Sequence, residues 1–223
     1  MNNENIKIWI DSINKELDMV YDLFKIETTS RRKKELFLII FCFLAIFYSN
    51  PITGTNINKL IEIKILSLSM DITDAFFIFP LIICFTYILL ISTARNEAIL
   101  IGKIQYYQEA IRYYRRNNII PKIKDISYTI DTLTTSFLPS SISTKYIISL
   151  EHTKPKAKGY DIIIGLTYSI IPFITIILIG LRGNELGNNA IVLMCFFTFI
   201  LMIFTLSRSG SKSESTTFNS EII

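Results

Sequence analysis

Four stretches of this chain run without a single Asp, Glu, Lys, Arg or His: Leu36 to about Ile52, Ala75 to Thr93, Ile162 to Leu181 and Ala190 to Leu206. At the helical rise of 1.5 Å per residue, each stretch of roughly 17 to 20 residues covers about 25 to 30 Å, the thickness of a bilayer's hydrocarbon. A buried core helix of a soluble protein seldom needs that length four times over. With 50% hydrophobic and only 19% charged residues in a chain of 223, an ordinary soluble domain is excluded. The expected fold class is an all-α membrane protein with four transmembrane helices, a cytoplasmic antiparallel helical stalk and a short outer strand segment. The first stretch is not read as a secretory signal, because a long polar-patterned segment precedes it and no small-x-small cleavage site follows.

The positive charges set the orientation. Seven Lys and Arg precede the first span, eleven lie in residues 94–160 and two in the tail, while the two remaining connections hold only Lys59, Lys64 and Arg182. Basic residues stay on the cytoplasmic side, so both termini and the middle segment are expected in the cytoplasm of a cell bounded by its plasma (inner) membrane. Arg31, Arg32, Lys33 and Lys34 abut the first span and read as its anchor. Such a run also attracts anionic lipid, but the anchor is the plainer reading.

This divides the chain into residues 1–34, a cytoplasmic amphipathic helix; 35–93, a first transmembrane hairpin with outer loop 53–74; and 94–160, a cytoplasmic helix and small subdomain. A second transmembrane hairpin, 161–206, and a disordered tail, 207–223, complete it.

In the N-terminal segment Ile6, Ile10, Ile13, Leu17, Val20 and Phe24 recur at alternating steps of four and three, an apolar seam of coiled-coil type. Its polar face carries six acidic and three basic residues, a net charge of −3, which suits a protein partner better than a lipid surface. Leu100, Ile104, Tyr107, Ile111 and Tyr114 repeat the pattern after the second span. No proline stands between Pro80 and Pro121, so the second membrane helix is expected to continue to about Asn118. Residues 94–118 carry five basic and two acidic side chains, hence +3. Antiparallel pairing of the two segments would build a stalk, with Asp11 and Glu16 near the level of Arg112, Arg115 and Arg116. Exposed ion pairs contribute only about 0 to 1 kcal/mol each, so burial of the seams must dominate.

The rest is less legible. Pro121, Pro139 and Pro155 cut residues 119–160 into short pieces; Ile126, Ile130, Leu133 and Phe137 fit one helical face, and Ser143 to Leu150 fits helix or strand. So long a connection points to a docking subdomain. Outside, Ile61 to Ile65 alternates strictly, and Leu66, Leu68 and Met70 continue in the opposite phase, as a bulged strand would.

No motif carries catalysis: there is no Walker loop, GxGxxG, GxSxG or HExxH. Cys42, Cys84 and Cys195 all fall within spans and read as apolar filler, and His152 reads as a solvated loop residue. Catalytic, cofactor-binding and metal sites are therefore expected to be none, and nucleic acid is not an expected partner. The spans hold no ionisable residue, which weighs against an ion-coupled carrier. Pro80 and Pro172 read as tolerated kinks, and Gly165 with Ser169 as a small-xxx-small packing step. What remains is a non-enzymatic sensor, anchor or effector that relays a membrane event to a cytoplasmic partner, as a homo-oligomer in the bilayer. The alternative is an oligomeric ion channel or membrane-permeabilising pore, with Thr86, Thr167, Ser169, Thr175 and Thr198 as the hydroxyls available to line it.

In architecture the chain resembles the small four-pass membrane components of bacterial anti-phage systems, which work beside a soluble cytoplasmic partner. The Ile-, Asn- and Lys-rich composition fits an AT-rich bacterial gene. No motif carries the resemblance; it implies a role in defence and assigns no residue.

Overall fold

A computed structural model describes residues 3–49, 61–63, 68–70, 72–122 and 159–210. Its architecture is all-helical: α1 (Asn3–Ser49), α2 (Ile72–Asn117), α3 (Gly159–Glu185) and α4 (Asn189–Gly210). A two-strand ladder, β1 (Ile61–Ile63) and β2 (Leu68–Met70), stands between α1 and α2. The two strands pair antiparallel with Ile61 opposite Met70 and Ile63 opposite Leu68, so the change of alternation phase separates two arms of a hairpin instead of marking a bulge in one strand. Of these helices, α2 and α4 are long and apolar enough to span a membrane among the described residues.

The two longest helices, of 47 and 46 residues, would each reach about 70 Å. No Gly or Pro interrupts α1, and its polar middle is knitted to its own helix: Thr29 Oγ1 donates to the Lys25 carbonyl at 2.8 Å, and Arg31 reaches Glu35 one turn on. The amphipathic N-terminal segment and the first apolar stretch are thus one element. Pro80 and Pro172 lie inside α2 and α3, and both helices run on through them. The second helix ends where Asn118 takes φ 52° and donates its N–H to the Tyr114 carbonyl at 2.8 Å, an αL cap with Pro121 following.

A tight turn joins α3 to α4. Gly187 takes φ 66°, a left-handed conformation that glycine adopts without a Cβ clash. Asn188 then caps α4, its Oδ1 accepting from the N–H groups of Ala190 at 3.2 Å and Ile191 at 3.4 Å. One turn before the loop, a Cβ on Gly183 would come within 2.6 Å of Ile191 Cγ2, so the two helices close only because that side chain is missing.

Packing is most extensive between α1 and α2. The antiparallel register reads directly from side-chain contacts. Trp9 lies against Tyr114 (centroids 5.6 Å), Tyr21 accepts from Gln108 at 2.8 Å, Asn96 donates to Glu27 at 3.4 Å, and Phe41 meets Phe79 edge-on at 6.2 Å. As the first number rises the second falls.

Two separate apolar cores result. The larger gathers Phe41, Cys42, Phe79, Ile83, Ile176, Ile179, Ile191 and Met202 from all four helices, with edge-to-face contacts running from Tyr87 through Phe173 to Phe199. The smaller joins Val20, Phe24 and Ile104, with Leu17, Leu100, Ile101 and Tyr107 packed round it. Between the two cores the interface is polar.

Candidate functional site: a buried ionic layer between two apolar cores

The seam of α1 does not stop at Phe24. Ile6, Ile10, Ile13 and Leu17 are half-buried and Val20 and Phe24 buried; Thr28, Arg31, Glu35, Leu38, Cys42, Ala45 and Ser49 continue the spacing, all buried. The steps alternate between four and three throughout, except that two steps of four follow one another from Val20 to Thr28. That is the stutter that locally unwinds a left-handed supercoil. One face of one helix is therefore covered along its whole length, and three consecutive seam positions are polar.

Those three meet α2 at Glu97. The carboxylate is fully buried and Arg31 is 1% exposed. Thr28 Oγ1 donates to Glu97 Oε1 at 3.1 Å, Arg31 Nη1 donates to Glu97 Oε2, and Arg31 Nε donates to Glu35 Oε1 at 3.0 Å. One guanidinium thus bridges a carboxylate on each helix, the forked geometry for which arginine is suited. Beside it, Lys34 Nζ donates to Thr93 Oγ1, and Thr93 in turn donates to the Leu89 carbonyl at 2.8 Å. Tyr168 brings α3 within electrostatic reach of Glu35.

Elementary electrostatics says what such a layer does. Burying a charge costs several kcal/mol per ion, and a partner recovers that only in good geometry with further hydrogen bonds. The layer therefore tolerates few alternative alignments. Sliding α1 against α2 by one turn would separate Arg31 from Glu97 while both remain buried, which suits the layer to serve as a register lock. Among the described residues no group of three or more His, Cys, Asp or Glu is placed to hold a metal ion.

The residues singled out from sequence distribute as follows. Of the basic run, Arg31 is buried in the layer, Lys34 half-buried against Thr93, and Arg32 and Lys33 exposed. On the stalk, Ile104 is buried, and Leu100, Tyr107, Ile111 and Tyr114 are half-buried. Arg112 pairs within its own helix with Glu109, while Glu16 faces Tyr107 across the interface. Burial, then the Glu16 charge, push the Tyr107 hydroxyl above its ordinary 10.0. On that register Asp11 falls level with Arg112, and Arg115 and Arg116 are exposed beyond it.

Of the candidate pore hydroxyls, Thr86, Thr175 and Thr198 are buried. Thr175 donates to the Ile171 carbonyl at 2.8 Å and Thr198 to the Met194 and Cys195 carbonyls at 3.0 Å, each within its own helix. Ser169 is half-buried, and the side chain of Thr167 lies outside the described residues. So do His152 and the patterns read in residues 123–158. The helical span of α4 extends to Gly210, past Ser207, where the tail was expected to begin.

Glu97 and Glu35 were missed from sequence. Their signal was the spacing of fours and threes, which continues through polar residue types after the stutter at Phe24. Compared with known proteins, the chain matches no protein family, no curated protein and no solved structure.

Proposed function

We propose that this chain is a non-enzymatic membrane protein that crosses a bilayer four times and relays a membrane event to a cytoplasmic partner, as a sensor, anchor or effector. One continuous seam from Ile6 to Ser49, locked to α2 by the Arg31–Glu97 layer, carries this reading. A helix that is covered along a single face for its whole length moves as a rod. Tilt or rotation of its apolar part within the lipid then appears at its polar end, and α2 moves with it.

The outer surface supports the four-span reading. Leu36, Phe43 and Phe47 on α1, Leu81 and Phe85 on α2, Ile174 and Leu181 on α3, and Leu193, Phe196 and Phe197 on α4 are all exposed large apolar side chains. Exposed apolar surface on every helix at corresponding levels is what hydrocarbon, and not water, would cover. In this reading, which the charge bias supports, both termini and residues 94–160 are cytoplasmic and the β1–β2 ladder lies outside. Thr175 and Thr198 spend their hydroxyls on their own helices, which favours the relay over a pore lined by them. Assembly into a homo-oligomer, a soluble partner on residues 119–160 and a role in anti-phage defence belong to the same proposal.

Spin labels at Lys7 and Arg116, exposed positions opposite one another near the stalk tip, test the relay in the full chain reconstituted into liposomes. The distance between them is expected to change when the bilayer is made thinner or thicker. Identical distance distributions together with ion conductance would instead establish the pore.

A further inference from the structure

A groove of about 660 Å³ runs between α1 and α2 on the outer surface of the bundle. Its chemistry is sharply divided along its length. Lys33 and Lys34 stand at one end; the remainder, which also includes Ile82 and Thr86, is lined chiefly by Phe37 on α1 and by Leu89, Phe85 and Leu81 on α2. The three α2 residues follow one another at four-residue steps, so this apolar wall descends about 12 Å from the lysines. All four of these apolar side chains are exposed.

We propose that this groove is a binding site for a phospholipid with an anionic headgroup, its phosphate held by the ammonium groups of Lys33 and Lys34 and an acyl chain lying along Phe37, Leu89, Phe85 and Leu81. The proposal rests on the membrane reading above. Charge complementarity selects the occupant. A lysine ammonium has three donors, and Thr93 takes one of those of Lys34. The neighbouring carboxylates of Glu35 and Glu97 face Arg31 inside the helix interface. The groove mouth is thus basic while the acidic groups are turned away from it. A zwitterionic lipid would bring a cationic group against the same two ammoniums.

Position gives the site a consequence. Lys34 contacts Thr93, and the adjacent seam residues Arg31 and Glu35 form the ionic layer. A bound anionic lipid would therefore sit against the register lock and hold α1 and α2 in their present alignment.

The test uses the full chain purified in mild detergent. Sedimentation in detergent-free buffer comes first: a chain that stays in solution there refutes the membrane reading itself, and the lipid site with it. Phosphatidylglycerol and phosphatidylcholine with identical acyl chains are then supplied in equal amounts, and bound lipid is counted by native mass spectrometry. One phosphatidylglycerol per chain should be retained in preference to phosphatidylcholine. Lys33→Gln with Lys34→Gln should weaken that preference by roughly fivefold per lysine, and Lys33→Arg with Lys34→Arg should keep it. Filling the groove with Leu89→Trp should reduce retention of both lipids while the lysines remain. Equal retention of the two lipids by the wild-type chain, or an undiminished preference in the double glutamine variant, overturns the proposal. So does displacement of the lipid by inorganic phosphate at equal concentration, which would mean that the groove contributes no binding.

Discussion

Glu97 is the residue on which the alignment of the two long helices turns. Replacing it by Gln removes one of the carboxylates that hold the buried Arg31 guanidinium, and breaking a buried pair from one side costs about 3 to 5 kcal/mol. Thermal unfolding of Glu97→Gln in detergent should therefore show a clear loss of stability. Replacing the whole layer, with Arg31→Met, Glu35→Leu and Glu97→Leu, should return it to within about 1 to 2 kcal/mol of wild type, because a packed apolar interface of similar volume is no worse than a buried ion network. Such a variant would fold without a register lock, separating stability from relay. Tyr107 adds a pH dependence. Its hydroxyl is held above the ordinary 10.0 by burial and by Glu16, so the neutral form is the one that the stalk favours. The resulting contribution is complete below pH 10 and is lost as the pH rises through the folded value. In Tyr107→Phe that alkaline loss should shrink, as followed by stalk unfolding against pH. Gly183→Val should destabilise by about 1 to 3 kcal/mol by overpacking Ile191, measured in the same unfolding assay.

At the scale of elements, the two seams hold the stalk through burial of Val20, Phe24 and Ile104. Ile13→Asp with Leu17→Asp places two charges on the half-buried part of that face and should open residues 1–28 to protease while leaving residues 36–52 protected; an unchanged digestion pattern would count against the pairing. Much of this level could be read from the chain. The apolar positions Ile6 to Phe24 and Leu100 to Tyr114 announce themselves because side-chain type and spacing agree. The next seam positions, Thr28, Arg31 and Glu35, keep the spacing and change the type, so hydrophobicity stops marking the face just where the ionic layer begins. By sequence Arg31 reads as part of the first span's anchor because its neighbours Arg32 and Lys33 share its charge, and only the helix phase tells it from them. Glu97 carried still less signal, being one of two acidic residues among five basic ones in residues 94–118. The β1–β2 hairpin read as one bulged strand because phase reversal is common to a bulge and to a turn.

For the whole molecule, the consequence of two cores separated by a polar layer is mechanical. The larger core belongs to four helices and the smaller to two, and among the described residues Thr28, Arg31, Glu35 and Glu97 lie in the seam between them. Everything proposed for function requires that the larger core lie in hydrocarbon and the smaller in cytoplasm. Single cysteines, introduced after replacing Cys42, Cys84 and Cys195 by Ala, test this in intact cells with a membrane-impermeant maleimide. The account predicts labelling at Lys64→Cys and Glu185→Cys, and none at Lys7→Cys, Arg116→Cys or Lys212→Cys until the membrane is opened. Labelling of Lys7→Cys or Arg116→Cys from outside sealed cells would contradict it.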